Sequence, residues 1–262
     1  METCASGEVP MSKGDKLTKK QSPKNEVEKV DMESKPYARL VGSLMYAQVC
    51  TRPDLSFAIS ILSRFQSNPV HEHWVAGKKV LRYLQRTKNH MLVYRQMEKL
   101  KRVGYTDSDF AGNYPDSKKS TCGYVFMLAG GAVAWKTMKQ TFVTSTMQAE
   151  FIAVYEGMCE GLWIRNFLMQ TRILSHIVSD ALVIHCDNEA VVFFSKNSKR
   201  SNNSKHIDLK YYSVRERVKH GEILVLSIST DSQLADPFTK GLSVAAFKKH
   251  IENIGVLPSL ES

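Results

Sequence analysis

The periodicity of the apolar residues changes near residue 101, and this change constrains the fold more than any other feature. Before it, between 37 and 95, apolar residues recur at helical spacing, as at Ile59, Leu62 and Phe65. After it, strands are predicted at 102–106, 123–128 and 132–136, with Gly130-Gly131 as a hairpin turn. Later strands at 182–186 and 223–228 alternate with helices at 147–170, 189–196, 207–219 and from about 235. This order predicts an α/β fold, a mixed sheet flanked by helices and preceded by a small helical unit.

These patterns divide the chain of 262 residues into four parts. Residues 1–36 contain seven lysines, seven acids and no aromatic residue, which predicts a disordered or weakly ordered tail. The helical unit spans 37–100 and the α/β domain spans 101–242. A C-terminal helix and tail are expected at 243–262.

Positive charge is concentrated in two stretches of a chain whose formal net charge is +10. Residues 78–102 carry nine Lys or Arg and one acid, and residues 196–219 carry eight Lys or Arg and two acids. On the helix predicted from Trp74, the residues Lys79, Arg82 and Arg86 lie opposite the apolar stripe. They are candidate contacts to a nucleic-acid backbone. A merely solvated helix face is the alternative that the pattern leaves open.

The composition and the termini exclude other classes of protein. Hydrophobic residues make up 43% of the chain, enough for a packed core. No uncharged apolar run approaches the roughly 20 residues that a membrane span needs, and the N-terminus lacks a signal-peptide pattern. The five scattered cysteines fit reduced thiols. We therefore expect an intracellular protein, cytoplasmic or nuclear rather than secreted, that does not bind a membrane.

Four acidic residues stand at the ends of predicted elements, where a sheet presents catalytic groups. Asp107 and Asp187 end strands, whereas Glu150 lies in the first turn of the long helix. Asp236 opens the last helix. Each acid also has a simpler interpretation, as a helix cap or as a complement to a helix dipole. Asp109 competes with Asp107, because residues two apart on a strand point to the same face.

Seven motifs in order carry a resemblance to a known family. They are YARLVGSLMY at 37–46, TRPD at 51–54, VLRYL at 80–84, YTDSDFAG at 105–112, CDN at 186–188, KHID at 205–208 and ADPFTKGL at 235–242. From about residue 37 to the C-terminus, the chain resembles the C-terminal part of a copia-type LTR-retrotransposon Pol polyprotein. That part comprises the end of the reverse transcriptase region followed by a ribonuclease H domain.

The resemblance implies a ribonuclease H-like sheet over 101–242 and makes 37–100 a helical remnant of the reverse transcriptase connection region. It implies that Asp107, Glu150, Asp187 and Asp236 are catalytic and hold two Mg²⁺ ions, for which Mn²⁺ can substitute. Asp107 would bridge both ions, and Asp109 would play a supporting role. The implied reaction is cleavage of the RNA strand of an RNA–DNA hybrid.

The resemblance also implies partners. These are the RNA–DNA hybrid and the reverse transcriptase portion of the parent polyprotein. Lys205 and His206, in the KHID motif, become further candidate nucleic-acid contacts. Because the polymerase palm is absent, the chain is not a polymerase on its own.

Departures from the family pattern leave an alternative open. One residue fewer than usual separates Lys139-Gln140 from the helix glutamate, which could displace Glu150. The loop at 230–232 lacks the histidine that many ribonucleases H carry before the last aspartate. His71 and His73 form either a metal pair or a solvated helix start. The alternative function is a catalytically inactive remnant that binds nucleic acid or another protein.

Overall fold

The computed structural model describes residues 5–15, 17–97, 100–110, 112, 119–140, 143–171, 180–197 and 205–259, without the side chains of residues 19 and 205–208. The helices in these ranges are α1 (Glu26–Glu33), α2 (Tyr37–Cys50), α3 (Ser56–Leu62), α4 (His71–Arg86), α5 (Thr146–Gln170), α6 (Glu189–Lys196), α7 (Lys205–Lys219) and α8 (Val244–Asn253). The strands are β1 (His90–Leu92), β2 (Val103–Asp109), β3 (Thr121–Leu128), β4 (Gly131–Lys139), β5 (Leu182–Cys186), β6 (Ile223–Ser227) and β7 (Val256–Pro258). None of the helices in the described ranges has the length and apolar character that crossing a membrane requires.

The main sheet has five strands in the order β4-β3-β2-β5-β6. The first three form an antiparallel meander, whereas β5 runs parallel to β2 and β6 runs parallel to β5. The helices α5, α6 and α7 lie in the connections between the parallel strands, as such crossovers require. This topology confirms the predicted α/β fold, a ribonuclease H-like mixed sheet flanked by helices.

The hairpin turn and the element that Asp236 opens differ from the sequence prediction. The hairpin turn lies one residue earlier, at Ala129 and Gly130, whose φ angles are 53° and 77°, and Gly131 already belongs to β4. Positive φ at both central residues matches the twist of the paired strands. Asp236 opens a short 3₁₀ turn, Asp236–Phe238, rather than the last helix, which begins at Val244. Pro237 is compatible with the first turn of a helix, but the helical conformation does not continue beyond Phe238. A loop follows, and it ends at Ser243, which caps α8.

Helix α5 packs closely against the sheet because two glycines leave room for it. A Cβ on Gly161 would lie 2.3 Å from Leu182 Cδ2, and a Cβ on Gly157 would lie 2.6 Å from Thr106 Cγ2. The large buried side chains Phe126 and Phe151 fill the space around this contact. The helix is therefore held firmly against β2, the central strand.

The helical unit covers the opposite face of the sheet. Its TRPD motif forms a buried network in which Arg52 Nη2 lies 2.7 Å from Asp54 Oδ2 and the Tyr83 hydroxyl donates to the same oxygen at 2.6 Å. Arg52 Nη2 also donates to Thr87 Oγ1 at 2.6 Å. Residues of α2 to α4 share one hydrophobic cluster with residues of β3, β4 and α8. The two units predicted on either side of residue 100 thus have a common core, and α3 packs on β4.

The described residues between 5 and 36 differ from the expected tail. Met11, Leu17 and Met32 are buried in the same cluster as the helical unit. Asn25 caps α1 by accepting a hydrogen bond from the Glu28 amide at 2.9 Å. The segment is polar on average, but its few apolar side chains pack against the helical unit. The local composition does not predict this contact.

Candidate active site

Asp107 lies within the central strand β2 and not after it, two residues from the strand end. Its side chain is 3% exposed. The Thr239 hydroxyl donates a hydrogen bond to Asp107 Oδ2, and the Lys240 ammonium lies 3.7 Å from the same oxygen. Both partners belong to the ADPFTKGL motif, so this motif lies directly over the strand.

Glu150 reaches the same place from the first turns of α5. It is 4% exposed, and its Oε1 accepts a hydrogen bond from the Ser108 amide on β2 at 3.2 Å. Its second oxygen, Oε2, is buried and has no hydrogen-bond partner in the described part of the chain. A buried, unpaired carboxylate oxygen is costly, which indicates a position made for a cation or a proton.

The shorter spacing before Glu150 does not keep it from the site, because its carboxylate contacts the Ser108 amide of β2. Strand β4 ends at Lys139 and helix α5 begins at Thr146, so Glu150 lies on the helix. Gln140 Nε2 donates to the Ala149 carbonyl at 2.8 Å, and Ser145 caps the helix by accepting from the Gln148 amide at 3.2 Å. These bonds hold the start of α5 in place.

Asp187 follows β5 and is half-buried. The Thr230 hydroxyl lies 3.4 Å from its Oδ2, and the next residue, Asn188, caps α6. One ligand atom from each of Glu150, Cys186 and Asp187 lies within 4.8 Å of the others. The buried Cys186 thiol is a soft donor, so the carboxylates are the members of this group that suit Mg²⁺.

Asp236 completes the arrangement from the 3₁₀ turn. Its Oδ1 lies 2.9 Å from the Lys240 ammonium one turn later. Gln233 Nε2 donates to the Thr106 carbonyl at 2.9 Å, which ties this turn to β2. Gly123, paired with Asp107 across the sheet, allows the approach, since a Cβ there would lie 2.6 Å from Phe238 Cβ.

The four predicted acids lie close enough to influence one another electrostatically. Burial, followed by the charges of Asp107 and Asp187, raises the pKa of Glu150 to about 10. Burial and the charge of Asp107 raise the pKa of Asp236 to about 7, although Lys240 opposes the shift. The same two causes raise the pKa of Asp187. The folded protein therefore resists full ionisation of this cluster unless additional positive charge enters it.

Asp107, rather than Asp109, lies at the centre. The charge of Asp107 contributes to the raised pKa of Glu150, of Asp187 and of Asp236. The pKa of Asp109 is also raised, by burial and then by Asp107, but the charge of Asp109 is not among the main causes of the shifts of those three acids. Its carboxylate faces Gly112, where a Cβ would lie 2.1 Å from Oδ2.

Lys240 is the functional candidate that the sequence reasoning missed. It pairs with both Asp107 and Asp236. Burial is the largest single influence on its pKa and lowers it, but the neighbouring acids together outweigh burial and raise the pKa of Lys240. Its signal in the sequence is its place in the ADPFTKGL motif, four residues after Asp236. It supplies a positive charge to the carboxylate cluster.

The basic side chains predicted to contact nucleic acid differ in their ion pairing. On α4, Lys79 pairs with Asp15 at 2.5 Å and Arg86 pairs with Glu8, while Arg82 is exposed. The side chains of Lys205 and His206 lie outside the described residues. These roles stay predictions.

The metal-pair hypothesis for His71 and His73 is wrong. His73 is fully buried, its Nδ1 accepts from the Val70 amide at 3.0 Å, and its ring stacks on Phe65 with 3.9 Å between centroids. His71 is exposed and lies 3.8 Å from Asp31. One histidine therefore caps α4 from within the core, and the two do not share a ligand position.

The fold and the site together define a ribonuclease H-type α/β domain with a buried carboxylate cluster. No family model matches the chain. Among curated proteins, it is 39% identical over 249 residues to the "Retrovirus-related Pol polyprotein from transposon TNT 1-94" of Nicotiana tabacum, covering 95% of this chain and 18% of that protein. It is 38% identical over 223 residues to the corresponding polyprotein from transposon RE2 of Arabidopsis thaliana, covering 84% of this chain and 15% of that protein.

The chain belongs to the family of retrovirus-related Pol polyproteins of copia-type transposons. It spans less than a fifth of the length of the polyproteins just described. It is also 44% identical over 134 residues to the "Secreted RxLR effector protein 161" of Plasmopara viticola, covering 51% of this chain and 94% of that protein.

Solved structures with similarity to the chain include ribonucleases H. One is a crystal structure of LC11-RNase H1 in complex with an RNA/DNA hybrid, with a TM-score of 0.38 and 15% identity over 53% of this chain and 94% of that one. Another is the solution structure of the PFV RNase H domain, with a TM-score of 0.36 and 18% identity over 61% of this chain and 96% of that one. The fold described above rests on the strand order and pairing of the chain itself.

Proposed function

We propose that this chain is a ribonuclease H that hydrolyses the RNA strand of RNA–DNA hybrids with two divalent metal ions. The observation that carries the proposal is the convergence of Asp107, Glu150, Asp187 and Asp236 from four separate elements. Helix caps alone do not require that these acids meet, nor that the pKa values of Glu150, Asp187 and Asp236 rise together.

The residues fit the ions that the proposal requires. Four carboxylates offer only hard oxygen donors, which Mg²⁺ and Mn²⁺ prefer. The unpaired Glu150 Oε2 and the raised pKa values of Glu150 and Asp236 are what a site with room for cations besides Lys240 would show. Asp107, Glu150 and Asp187 would hold one ion, and Asp107 with Asp236 the other. When bound, such ions activate water and stabilise the leaving oxygen of a phosphodiester.

The remaining residues orient this arrangement. Thr239 and Lys240 fix the Asp107 carboxylate, while the Ser108 amide fixes one oxygen of Glu150. Gln233 holds the turn that carries Asp236 against β2. Because each carboxylate is held from a packed element, little reorganisation is needed before an ion binds.

A cleavage assay tests the proposal. The full chain is incubated with an end-labelled RNA–DNA hybrid in Mg²⁺, beside single-stranded RNA and beside a reaction with EDTA. We expect cleavage of the hybrid RNA strand only, and only with the ion. Asp107→Asn should abolish it, while Asp180→Asn, which changes an exposed acid, should retain it.

The catalytically inactive remnant predicts a different outcome. Such a protein would bind the hybrid without cleaving it in Mg²⁺ or Mn²⁺, and the same assay followed by a binding measurement separates the two functions. Intact hybrid after prolonged incubation of a correctly folded sample would refute the hydrolase.

We also propose that the reverse transcriptase portion of a parent polyprotein covers part of α2. Met45, Tyr46 and Val49 are exposed there, and Tyr46 is 75% exposed. Exposed apolar clusters of this kind commonly mark protein contacts. Copurification with a separately expressed reverse transcriptase portion, weakened by Tyr46→Lys, would support this contact, and unchanged copurification would refute it.

A further inference from the structure

The N-terminal strap, defined as residues 5–15, lies along the basic helix α4. The Gly7 amide donates to the carbonyl of Arg82, a residue of α4, at 3.2 Å. Met11 is buried in the core of the helical unit and anchors the middle of the strap. The strap is therefore seated on the molecule by backbone and apolar contacts, independently of its charges.

The acidic residues of the strap form ion pairs with basic residues of this surface. Glu8 pairs with Arg86 and, at 2.6 Å, with Lys248 of α8. Asp15 Oδ1 lies 2.5 Å from the Lys79 ammonium. The sequence predicts three phosphate contacts on α4, and two of them, Lys79 and Arg86, are thus paired with carboxylates of the same chain.

The strap also runs beside the candidate active site. A Cβ on Gly241 would lie 3.0 Å from the Ser12 carbonyl oxygen and from Lys13 Cα. Gly241 directly follows Lys240, which contacts Asp107 and Asp236. The strap therefore connects the edge of the carboxylate cluster with the basic face of α4, along one continuous surface.

We propose that Lys79, Arg82, Arg86 and Lys248 form a binding surface for the phosphate backbone of a nucleic acid, and that the strap occupies this surface as an acidic competitor. The partner class rests on the proposed function, because the hybrid is the polyanion that must reach the neighbouring carboxylates.

A nucleic acid can displace the strap because the ion pairs that the strap forms are exposed to solvent. The side chains of Lys79, Arg86 and Lys248 are each more than two-fifths exposed, and ion pairs this exposed contribute little to stability. A nucleic-acid backbone gains affinity by releasing counterions at every phosphate that is neutralised. Nucleic acid should therefore compete successfully at low salt and lose affinity as salt rises.

The experiment compares hybrid binding by two matched double variants. In the strap variant, Glu8→Gln and Asp15→Asn remove the two competing charges but keep the hydrogen-bonding groups. In the control variant, Glu26→Gln and Glu33→Gln remove the same charge from exposed positions on α1, where Glu26 pairs only locally with Lys29. Binding of a labelled RNA–DNA hybrid is measured by fluorescence anisotropy in EDTA over a range of salt concentrations.

We expect the strap variant to bind more tightly than the control variant at low salt. Three freed cations should make the plot of log K against log salt steeper by about two to three, at roughly 0.9 for each phosphate. Adding Lys79→Ala and Arg86→Ala to the strap variant should remove most of this gain. Equal slopes for the strap and control variants would overturn the proposal, as would a gain that survives those two substitutions.

This outcome is separable from that of the proposed function. Tighter binding by the strap variant without any cleavage in Mg²⁺ would support the surface and refute the hydrolase. Cleavage by the parent together with equal slopes would support the hydrolase and refute the role of the strap.

Discussion

The carboxylate cluster predicts that the ion-free protein loses stability as the pH rises. Burial and neighbouring charges raise the pKa of Glu150 from 4.5 to about 10. In the folded protein this carboxyl stays protonated at pH values where the unfolded chain has already ionised it. Its contribution to stability is therefore fully present below 4.5 and is lost as the pH rises toward about 10.

The magnitude follows from the proton difference between the two states. One proton retained only by the folded protein changes the free energy of unfolding by about 1.4 kcal/mol for each pH unit. Between about pH 6 and about pH 8, Glu150 alone should account for a loss on the order of 3 kcal/mol. Asp236 adds to the loss at the lower end, since its pKa is raised to about 7.

Glu150→Gln isolates this contribution, because glutamine has the same shape and does not titrate. Urea unfolding in EDTA, followed by circular dichroism, gives the free energy of unfolding of both proteins at each pH. We expect the stability of the parent relative to the variant to fall by about 3 kcal/mol over this range. Glu189→Gln, at an exposed position, should leave the pH dependence of the parent unchanged.

The reasoning fails if the stability difference between the parent and Glu150→Gln is the same at every pH. Added Mg²⁺ supplies the second arm of the experiment, since an ion that binds ionised carboxylates should stabilise the parent increasingly as the pH rises. Glu150→Gln should gain less from the ion.

Three further predictions concern single substitutions. Asp107→Asn should lower the rate of hybrid cleavage at least ~10³-fold while Asp109→Asn costs much less, and equal losses in a single-turnover assay would contradict the central position of Asp107. Asp54→Asn leaves a buried arginine without its ion-pair partner and should cost about 3 kcal/mol in urea unfolding, whereas a loss within experimental error would show that the network is dispensable. Gly161→Ala places a Cβ 2.3 Å from a leucine of β5 and should lower the melting temperature, while Gly42→Ala, with nothing within 4 Å, should maintain or raise it.

The sequence by itself determined most of the helices and strands and the acidic residues of the candidate site. The change of apolar period near residue 101 predicts helices before it and a mixed sheet after it, because period is a local property of each segment. Asp107, Asp187 and Asp236 lie in the ordered motifs, and Glu150 lies near the start of the long predicted helix. Their acidity and their positions near element ends are readable from the chain, and so is the concentration of positive charge between 78 and 102.

Only the tertiary structure decided which charges meet. Lys240 is one lysine among many in the sequence, and it becomes a partner of Asp107 only because the turn at 236–238 folds back over β2. Glu8 and Asp15 belong to a segment that is polar on average, yet Met11 anchors it on α4 and places them against Arg86 and Lys79. Such pairings depend on distances in space between residues far apart in the chain, and no local pattern of apolar or charged residues encodes those distances.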